Sequence, residues 1–271
     1  MIAAIAPRRD LLHLSEVDAT GGSVTRVHMD IVEIRSFYHS LLGEMATRSI
    51  GMGLTRIWSP MPNERLLGLG YARPWLDRFE GDTERTLSFM LAAQGAIKWP
   101  RNGPSRSALV FDEELPLPDS AIDRILMVHA LEHAENPRET LMEAWRVLAP
   151  NGKLVLVVPN RRGMWARFEH TPFGTGRPFS RGQITKLLRE ANFTPGAMTE
   201  ALAFPPVRVR SLLRISYQIE RMGLRFWPVF SGVLVIEAHK RMFQGLPVAA
   251  RQSRRVFVPV LAPQGAARAF D

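Results

Sequence analysis

The sequence has no cysteine among its 271 residues. Disulfide bonds and thiolate metal sites are therefore excluded, and the composition gives no sign of an oxidising compartment. Long apolar runs are also missing, because the most apolar segment, residues 226–238, is short and contains Glu237, whereas a membrane-spanning helix needs roughly 18–20 apolar residues. The apolar start of the chain precedes Arg8 and Arg9, the reverse of the order in an export signal. We therefore expect a cytoplasmic protein without a membrane span.

Acidic residues are scarce relative to basic ones, with 26 Asp and Glu against 35 Lys and Arg. The imbalance is concentrated in the C-terminal half, where residues 161–225 hold twelve basic and four acidic side chains. Such an excess indicates either an acidic partner or a solvated surface rich in arginine. An anionic acceptor or an acidic protein is the favoured kind of partner, since the sequence carries no nucleic-acid-binding motif.

Changes in composition divide the chain into three parts. Residues 1–28 have glycine, balanced charge and no sustained period, which predicts a disordered leader. Residues 29–243 carry the periodic patterns of a folded domain. Residues 244–271 hold scattered prolines and arginines and predict an irregular basic tail.

Within residues 29–243, short apolar runs alternate with helical patterns. Apolar residues from Ile31 to Met45 recur every three or four positions, which predicts one amphipathic helix. The remaining segments predict strands at 65–69, 86–92, 108–111, 122–128, 153–158 and 233–237, and helices at 75–79, 136–148, 180–191 and 209–222. This alternation predicts an α/β fold with a doubly wound, mostly parallel sheet and helices on both faces.

Three sequence blocks lie in a recognisable order: LPLPDSAIDRI from Leu115, LEH from Leu131, and RVLAPNGKL from Arg146. Together they resemble the type 11 branch of the class I S-adenosylmethionine-dependent methyltransferases. The resemblance covers residues 64–160 well and extends more loosely to Lys240. It implies a Rossmann-like methyltransferase fold with a seven-stranded sheet, S-adenosyl-L-methionine as cofactor, and methyl transfer to an unidentified acceptor. The blocks build the sheet and support the fold more than the activity.

The segment after the first predicted strand corresponds to the cofactor loop of that family. The resemblance implies cofactor contacts at Gly68, Gly70, Tyr71 and Ala72. The family pattern is an acid, a hydrophobic residue and then G-x-G-x-G; here Gly68 replaces the acid, Gly70 keeps the first glycine, and Ala72 and Pro74 replace the other two. Alternatively, these glycines only allow the chain to reverse direction, and the loop contacts no cofactor.

The other implied cofactor contacts also depart from the family pattern. Gln94 stands where the family places the ribose-binding acid, and His129 and Leu131 would lie beside the methionine part of the cofactor. Asp112 and Glu113 could accept from the adenine amino group, or they could form a solvated acidic loop. The departures keep a second hypothesis open, in which the protein is an inactive methyltransferase-fold protein that binds a protein partner through its basic C-terminal half.

The pattern His129-x-x-Glu132-His133 is also the inverzincin spacing, which binds zinc from within a helix. Residues 125–128 predict a strand running directly into His129, so we expect no metal here. Direct methyl displacement needs little beyond alignment and a base. By position, the candidate catalytic residues are His129, His133 and Asn160, although a structural role is the commoner one for such histidines.

The loop after the fifth predicted strand combines aromatic and basic residues. Its members are Arg161, Arg162, Trp165, Arg167, Phe173 and Arg177. Such a loop could hold an anionic or planar acceptor, or a protein partner. The alternative is a lid in which Trp165 and Phe173 pack on the edge of the sheet.

Overall fold

The computed structural model describes residues 29–58, 60–206 and 231–240. The predicted leader 1–28, the predicted helix 209–222 and the predicted tail 244–271 lie outside these ranges. Within the described residues, no helix is long and apolar enough to cross a bilayer.

A seven-stranded sheet dominates the described part of the chain. Its strands are β1 (Arg65–Gly70), β2 (Arg85–Leu91), β3 (Ser107–Val110), β4 (Ile122–Val128), β5 (Leu148–Pro159), β6 (Phe193–Ala201) and β7 (Val233–Lys240). The order across the sheet is β3-β2-β1-β4-β5-β7-β6. Neighbours from β3 to β5 are parallel, and β7 runs antiparallel to both β5 and β6. The predicted mostly parallel, doubly wound sheet is confirmed.

Helices cover both faces of this sheet. On one face lie α1 (Ile31–Tyr38), α2 (Leu41–Ile57) and α3 (Arg73–Phe79), and on the other lie α4 (Pro137–Val147) and α5 (Arg181–Glu190). Each central strand contributes side chains to both cores; in β4, Leu126 and Val128 belong to the first core while Ile125 and Met127 belong to the second. Burial on both faces explains why these strands are continuous apolar runs.

The single helix predicted from Ile31 to Met45 is wrong, because the structure breaks it at His39 and Ser40. Ser40 is the N-cap of α2, and its hydroxyl accepts a hydrogen bond from the Gly43 amide at 3.1 Å. A side chain at Gly43 would overlap the Phe37 carbonyl at the end of α1. The Ser40 cap and the close contact at Gly43 allow the chain to turn between the two helices. The apolar residues nevertheless keep the spacing of a single helix across the break.

Most other element boundaries agree with the sequence prediction within about two residues, as expected from differences in assigning ends. Strand β5 begins at Leu148 rather than at residue 153, because Leu148 already pairs with Ile122 across a register shift. Strand β7 extends to Lys240. Strand β6 was missed, since its half-buried residues do not alternate and it contains Pro195 and Gly196.

Candidate functional site

The strands β2, β1 and β4 are neighbours, so their carboxyl ends meet at one edge of the sheet. Helix α1 lies across that edge. The amide of Ile31, at the start of α1, donates to the Gln94 carbonyl oxygen beyond β2 at 3.0 Å. The hydroxyl of Tyr38, at the end of α1, lies 2.7 Å from Nε2 of His129 beyond β4. We call this region, formed by α1 with Tyr71, Gln94, His129 and Glu132, the carboxyl edge.

The glycines that end β1 are required by contacts with neighbouring protein atoms. Gly70 has φ +77°, and a side chain there would overlap the Val128 carbonyl and approach the Ala130 Cβ at 2.9 Å. A side chain at Gly68 would lie 2.6 Å from Leu76 in α3. The turn is thus shaped by close packing on β4 and α3, a position that favours glycine without a ligand.

Aromatic rings fill the space directly above this turn. The Tyr71 side chain is 1% exposed and stacks on Tyr38, with ring centroids 5.2 Å apart and an interplanar angle of 16°. Trp75 meets Tyr38 edge-on at 5.6 Å. Ala72 is also buried. Burial raises the pKa of Tyr71 and, more strongly, that of Tyr38.

A buried chain of hydrogen bonds runs from α1 to the loop after β4. Tyr38 Oη contacts His129 Nε2, and His129 Nδ1 lies 3.1 Å from Oε1 of Glu132. Burial raises the pKa of Tyr38 first of all, and the charge of Glu132 adds to the effect. The protonated tyrosine can therefore donate to Nε2, and the opposite ring nitrogen, Nδ1, can then donate to Glu132. His129 adopts φ +51°, an uncommon backbone conformation outside glycine.

Two acceptor atoms at the carboxyl edge are buried without a hydrogen-bond partner among the described residues. The Gln94 side-chain amide donates from Nε2 to the His129 carbonyl at 3.0 Å, but its Oε1 is unpaired. The second acceptor is Oε2 of Glu132. Buried acceptors are normally paired, so these two atoms need an explanation.

The remaining predicted cofactor residues follow the carboxyl ends of β3 and β4, but they contact other parts of the protein or solvent. The Asp112 carboxylate accepts from the Thr140 hydroxyl at 2.7 Å, and Glu113 is exposed. The pKa of Glu113 is raised by desolvation first and then by neighbouring carboxylates, including Asp112. Leu131 is fully buried in the core beneath α4 and α5.

The two other catalytic candidates hold loops in place. His133 is buried, and Gly176 packs so closely on it that an added Cβ would lie 3.0 Å from the ring. Asn160 donates from Nδ2 to the Ser231 carbonyl at 2.9 Å, and its Oδ1 accepts from the Arg162 amide at 3.2 Å. Of the three candidates, only His129 lies at the carboxyl edge.

The loop after β5 separates its aromatic from its basic residues. Trp165 and Phe173 are buried, and Trp165 Nε1 donates to the Phe204 carbonyl at 2.6 Å. Phe173 also packs against the His129 ring at a centroid distance of 4.8 Å. The arginines of the loop are exposed. This arrangement corresponds to the predicted lid that packs on the sheet edge.

The structure also answers the zinc alternative. The segment from His129 to His133 forms the turn between β4 and α4 and is not helical. Throughout ranges 29–58, 60–206 and 231–240, no three His, Asp or Glu side chains converge as metal ligands. The helical placement that the inverzincin spacing requires is therefore not met.

Sequence reasoning missed Tyr38 as part of the site. Its spacing from Ile31 and Ile34 is that of an ordinary apolar helix face, and nothing local links residue 38 to residue 129. Glu132 was noticed only as part of the histidine motif. A polar tip on an otherwise apolar helix face is the one signal that could have drawn attention to Tyr38.

Comparisons with known proteins agree with this architecture. Residues 91–156 match the family model described as "Methyltransferase domain". A "Probable S-adenosylmethionine-dependent methyltransferase" of Mycolicibacterium smegmatis is 33% identical over 82 residues, which are 30% of this chain and 32% of the relative. The chain thus matches about a third of that relative's length. S-adenosyl-L-methionine is the cofactor that the family match and this relative imply.

Solved structures extend the likeness over most of the chain. A methyltransferase of Thermotoga maritima superposes with a TM-score of 0.54 at 18% identity, covering 78% of this chain and 96% of its own. One from Aquifex aeolicus gives a TM-score of 0.54 at 13% identity, covering 79% and 100%. At such identities the structures establish the fold alone.

Proposed function

We propose that this chain is a class I S-adenosylmethionine-dependent methyltransferase, which binds its cofactor at the carboxyl edge and methylates an unidentified acceptor. The observation that carries the proposal is the pair of buried, unpaired acceptors, Gln94 Oε1 and Glu132 Oε2, beyond β2 and β4. Open α/β sheets bind their ligands at this end of the strands.

The residues present fit the polar groups of the cofactor. Gln94 stands beyond β2, where its free oxygen could accept from a ribose hydroxyl. The free oxygen of Glu132 could accept from the ammonium of the methionine part. A neutral amide replaces the family's acid in the first contact, so we expect a weaker ribose interaction than a carboxylate would give.

Helix α1 must leave the carboxyl edge before an adenosyl group can enter. It hydrogen-bonds directly to Gln94 and His129, and the Tyr38–Tyr71 stack occupies the space above β1. With eight residues, α1 is too short to be stable by itself and depends on these contacts. The break at His39 and Ser40 gives it a point about which to move.

Departure of α1 would give His129 a chemical role. The bound cofactor supplies an electrophilic methyl group, and the acceptor must lose a proton as it attacks. Without Tyr38, Nε2 of His129 becomes free to take that proton, while Glu132 holds the opposite side of the ring through Nδ1. We propose His129 as the base and Glu132 as the residue that positions it. The acceptor would be a small molecule or a protein, and the basic half of the chain favours an acidic one.

A second function is supported by the same stack of rings. The direct contacts of α1 leave the carboxyl edge filled by the protein's own atoms, as in a methyltransferase fold that has lost its cofactor and binds a protein partner. This candidate requires that Gln94 Oε1 and Glu132 Oε2 stay unpaired at a cost in stability of about 1–3 kcal/mol each.

Calorimetric titration with S-adenosylmethionine and S-adenosylhomocysteine separates the two functions. If the cofactor binds, Gln94→Leu should weaken its binding about tenfold by removing the ribose acceptor. Asp82→Asn should not, because Asp82 is exposed and precedes β2 at the opposite end of the sheet. Tyr38→Ala should strengthen the apparent affinity, because a larger fraction of molecules would have α1 displaced. Absence of heat at millimolar ligand with both wild type and Tyr38→Ala would favour the inactive protein.

A further inference from the structure

A basic groove lies on the other side of the loop that follows β4. It is bounded by the start of α4, the loop after β5 and the outer face of α5, and it encloses about 520 Å³. Its lining includes four basic side chains, Arg138, Arg161, Arg177 and Lys186, against one acid, Glu190. We refer to this cavity as the basic groove.

The charges of the basic groove are largely uncompensated. Lys186 lies 3.7 Å from Glu190, four residues later in α5. Among the described residues, Arg138, Arg161 and Arg177 form no ion pair with an acidic side chain. Three guanidinium groups around one concavity repel each other, and an anion between them would relieve that repulsion.

The backbone fixes two of these arginines in position. The Arg177 amide donates to the Glu132 carbonyl at 2.8 Å, and the Arg161 amide donates to the Phe179 carbonyl at 2.9 Å. Arg138 is held in the first turn of α4. These anchored backbones place three guanidinium groups within reach of one cavity, and arginine binds an oxyanion with two parallel hydrogen bonds.

We infer that the basic groove binds a small phosphorylated molecule. Its volume lies in the range of small-molecule sites. Its lining also includes Phe179 and Leu187, which offer apolar contact to the non-phosphate part of such a ligand. The basic side chains surround one cavity and do not form the extended track that a nucleic-acid strand follows. The inference does not depend on cofactor binding, because none of the residues that line the groove belongs to the carboxyl edge.

Titration of the full chain with pyrophosphate, in a phosphate-free buffer at low salt, tests the inference. Wild type should bind pyrophosphate more tightly than citrate, which carries carboxylates instead of phosphates. Arg161→Gln and Arg177→Gln should each weaken pyrophosphate binding about tenfold, the loss expected for one charge-assisted contact. Both side chains are exposed, so the variants should melt no lower than wild type; Lys186→Gln serves as a third variant if one of them melts lower.

Arg189→Gln is the matched control. It removes the same charge from an exposed arginine of α5 that does not line the groove, and it should change the affinity less than about twofold. An equal loss in Arg189→Gln would overturn the inference, since binding would then reflect net charge alone. Failure to bind pyrophosphate at millimolar concentration, tighter binding of citrate, or binding of duplex DNA without pyrophosphate would each overturn it as well.

Discussion

The carboxyl edge and the basic groove lie on opposite sides of the same loop, yet they are built in contrasting ways. At the edge, neutral rings and a short helix exclude water from His129 and Glu132. In the groove, arginines remain at the surface around open space. The loop after β4 serves both regions, because Glu132 contacts His129 with its side chain and holds Arg177 with its carbonyl. The proposed cofactor position is therefore covered, whereas the neighbouring groove is open and basic.

The largest effect is expected from Gly70→Val, which tests whether packing alone shapes the edge. The added side chain would overlap the Val128 carbonyl at a residue with φ +77°. We expect a loss of more than about 3 kcal/mol in the free energy of unfolding.

Urea unfolding measures this effect, with Gly81→Val as its control. Gly81 is exposed and has open space around an added Cβ, so its substitution should change stability by less than about 1 kcal/mol. Equal stability of the two variants would mean that the end of β1 is not packed on β4 as described.

Tyr38→Phe should give the next largest effect, because it tests how firmly α1 holds the edge closed. The variant removes the hydrogen bond to His129 Nε2 and leaves that buried nitrogen unpaired. The expected loss is about 1–3 kcal/mol. Tyr71→Phe is the matched comparison, since the Tyr71 hydroxyl forms no hydrogen bond within the described part of the chain, and it should lose less than about 0.5 kcal/mol. A larger loss in Tyr71→Phe than in Tyr38→Phe would mean that the Tyr71 hydroxyl, and not the Tyr38 hydroxyl, stabilises the closed edge.

A smaller effect should appear only in alkaline solution. Burial raises the pKa of Tyr38 in the folded state, whereas tyrosine in the unfolded chain titrates near pH 10. The folded state then holds its proton more tightly, so the stabilisation is complete below about pH 10 and decreases as the pH rises above it. Plotted against pH, the free energy of unfolding of Tyr38→Phe should fall less steeply than that of wild type in this range. Parallel curves would show that Tyr38 ionises freely and that α1 is already open.

The smallest effect concerns the basic groove in the absence of ligand. Arg177→Gln removes one of several like charges around the cavity and should raise stability by a few tenths of a kcal/mol at low ionic strength. Added salt should erase the difference. Differential scanning calorimetry at two salt concentrations measures this change; a loss of stability at low salt would show that Arg177 has an attractive partner.

The sheet was predictable because its signals are local. Buried strands such as β4 are continuous apolar runs, and turn residues such as Asn151 and Gly152 mark where β5 turns into the sheet. Strand β6 lacks such a pattern and was missed. The break between α1 and α2 was missed for a different reason: the apolar spacing continues through it, and only the Ser40 cap interrupts the helix.

The position of the candidate site was predictable, but the side chains that fill it were not. Sequence alone located Gly70, Gln94 and His129 near one another, because the carboxyl ends of neighbouring parallel strands must converge. It could not show that Tyr38 would fill the space between them, since that contact joins segments 91 residues apart in the chain. The basic groove was likewise predictable only in part. Arg161 and Arg177 belong to one basic loop of the sequence, whereas Arg138 and Lys186 come from two separate helices.

The apolar surface beneath α1 has a thermodynamic consequence. Ile31, Ile34 and Tyr38 are almost completely shielded from water, and any ligand that lifts the helix would hydrate them as it buries its own apolar atoms. These two changes oppose each other in heat capacity. Association at the carboxyl edge should therefore show an unusually small temperature dependence of its enthalpy, whereas a ligand entering a ready-made cavity would show a strongly negative one.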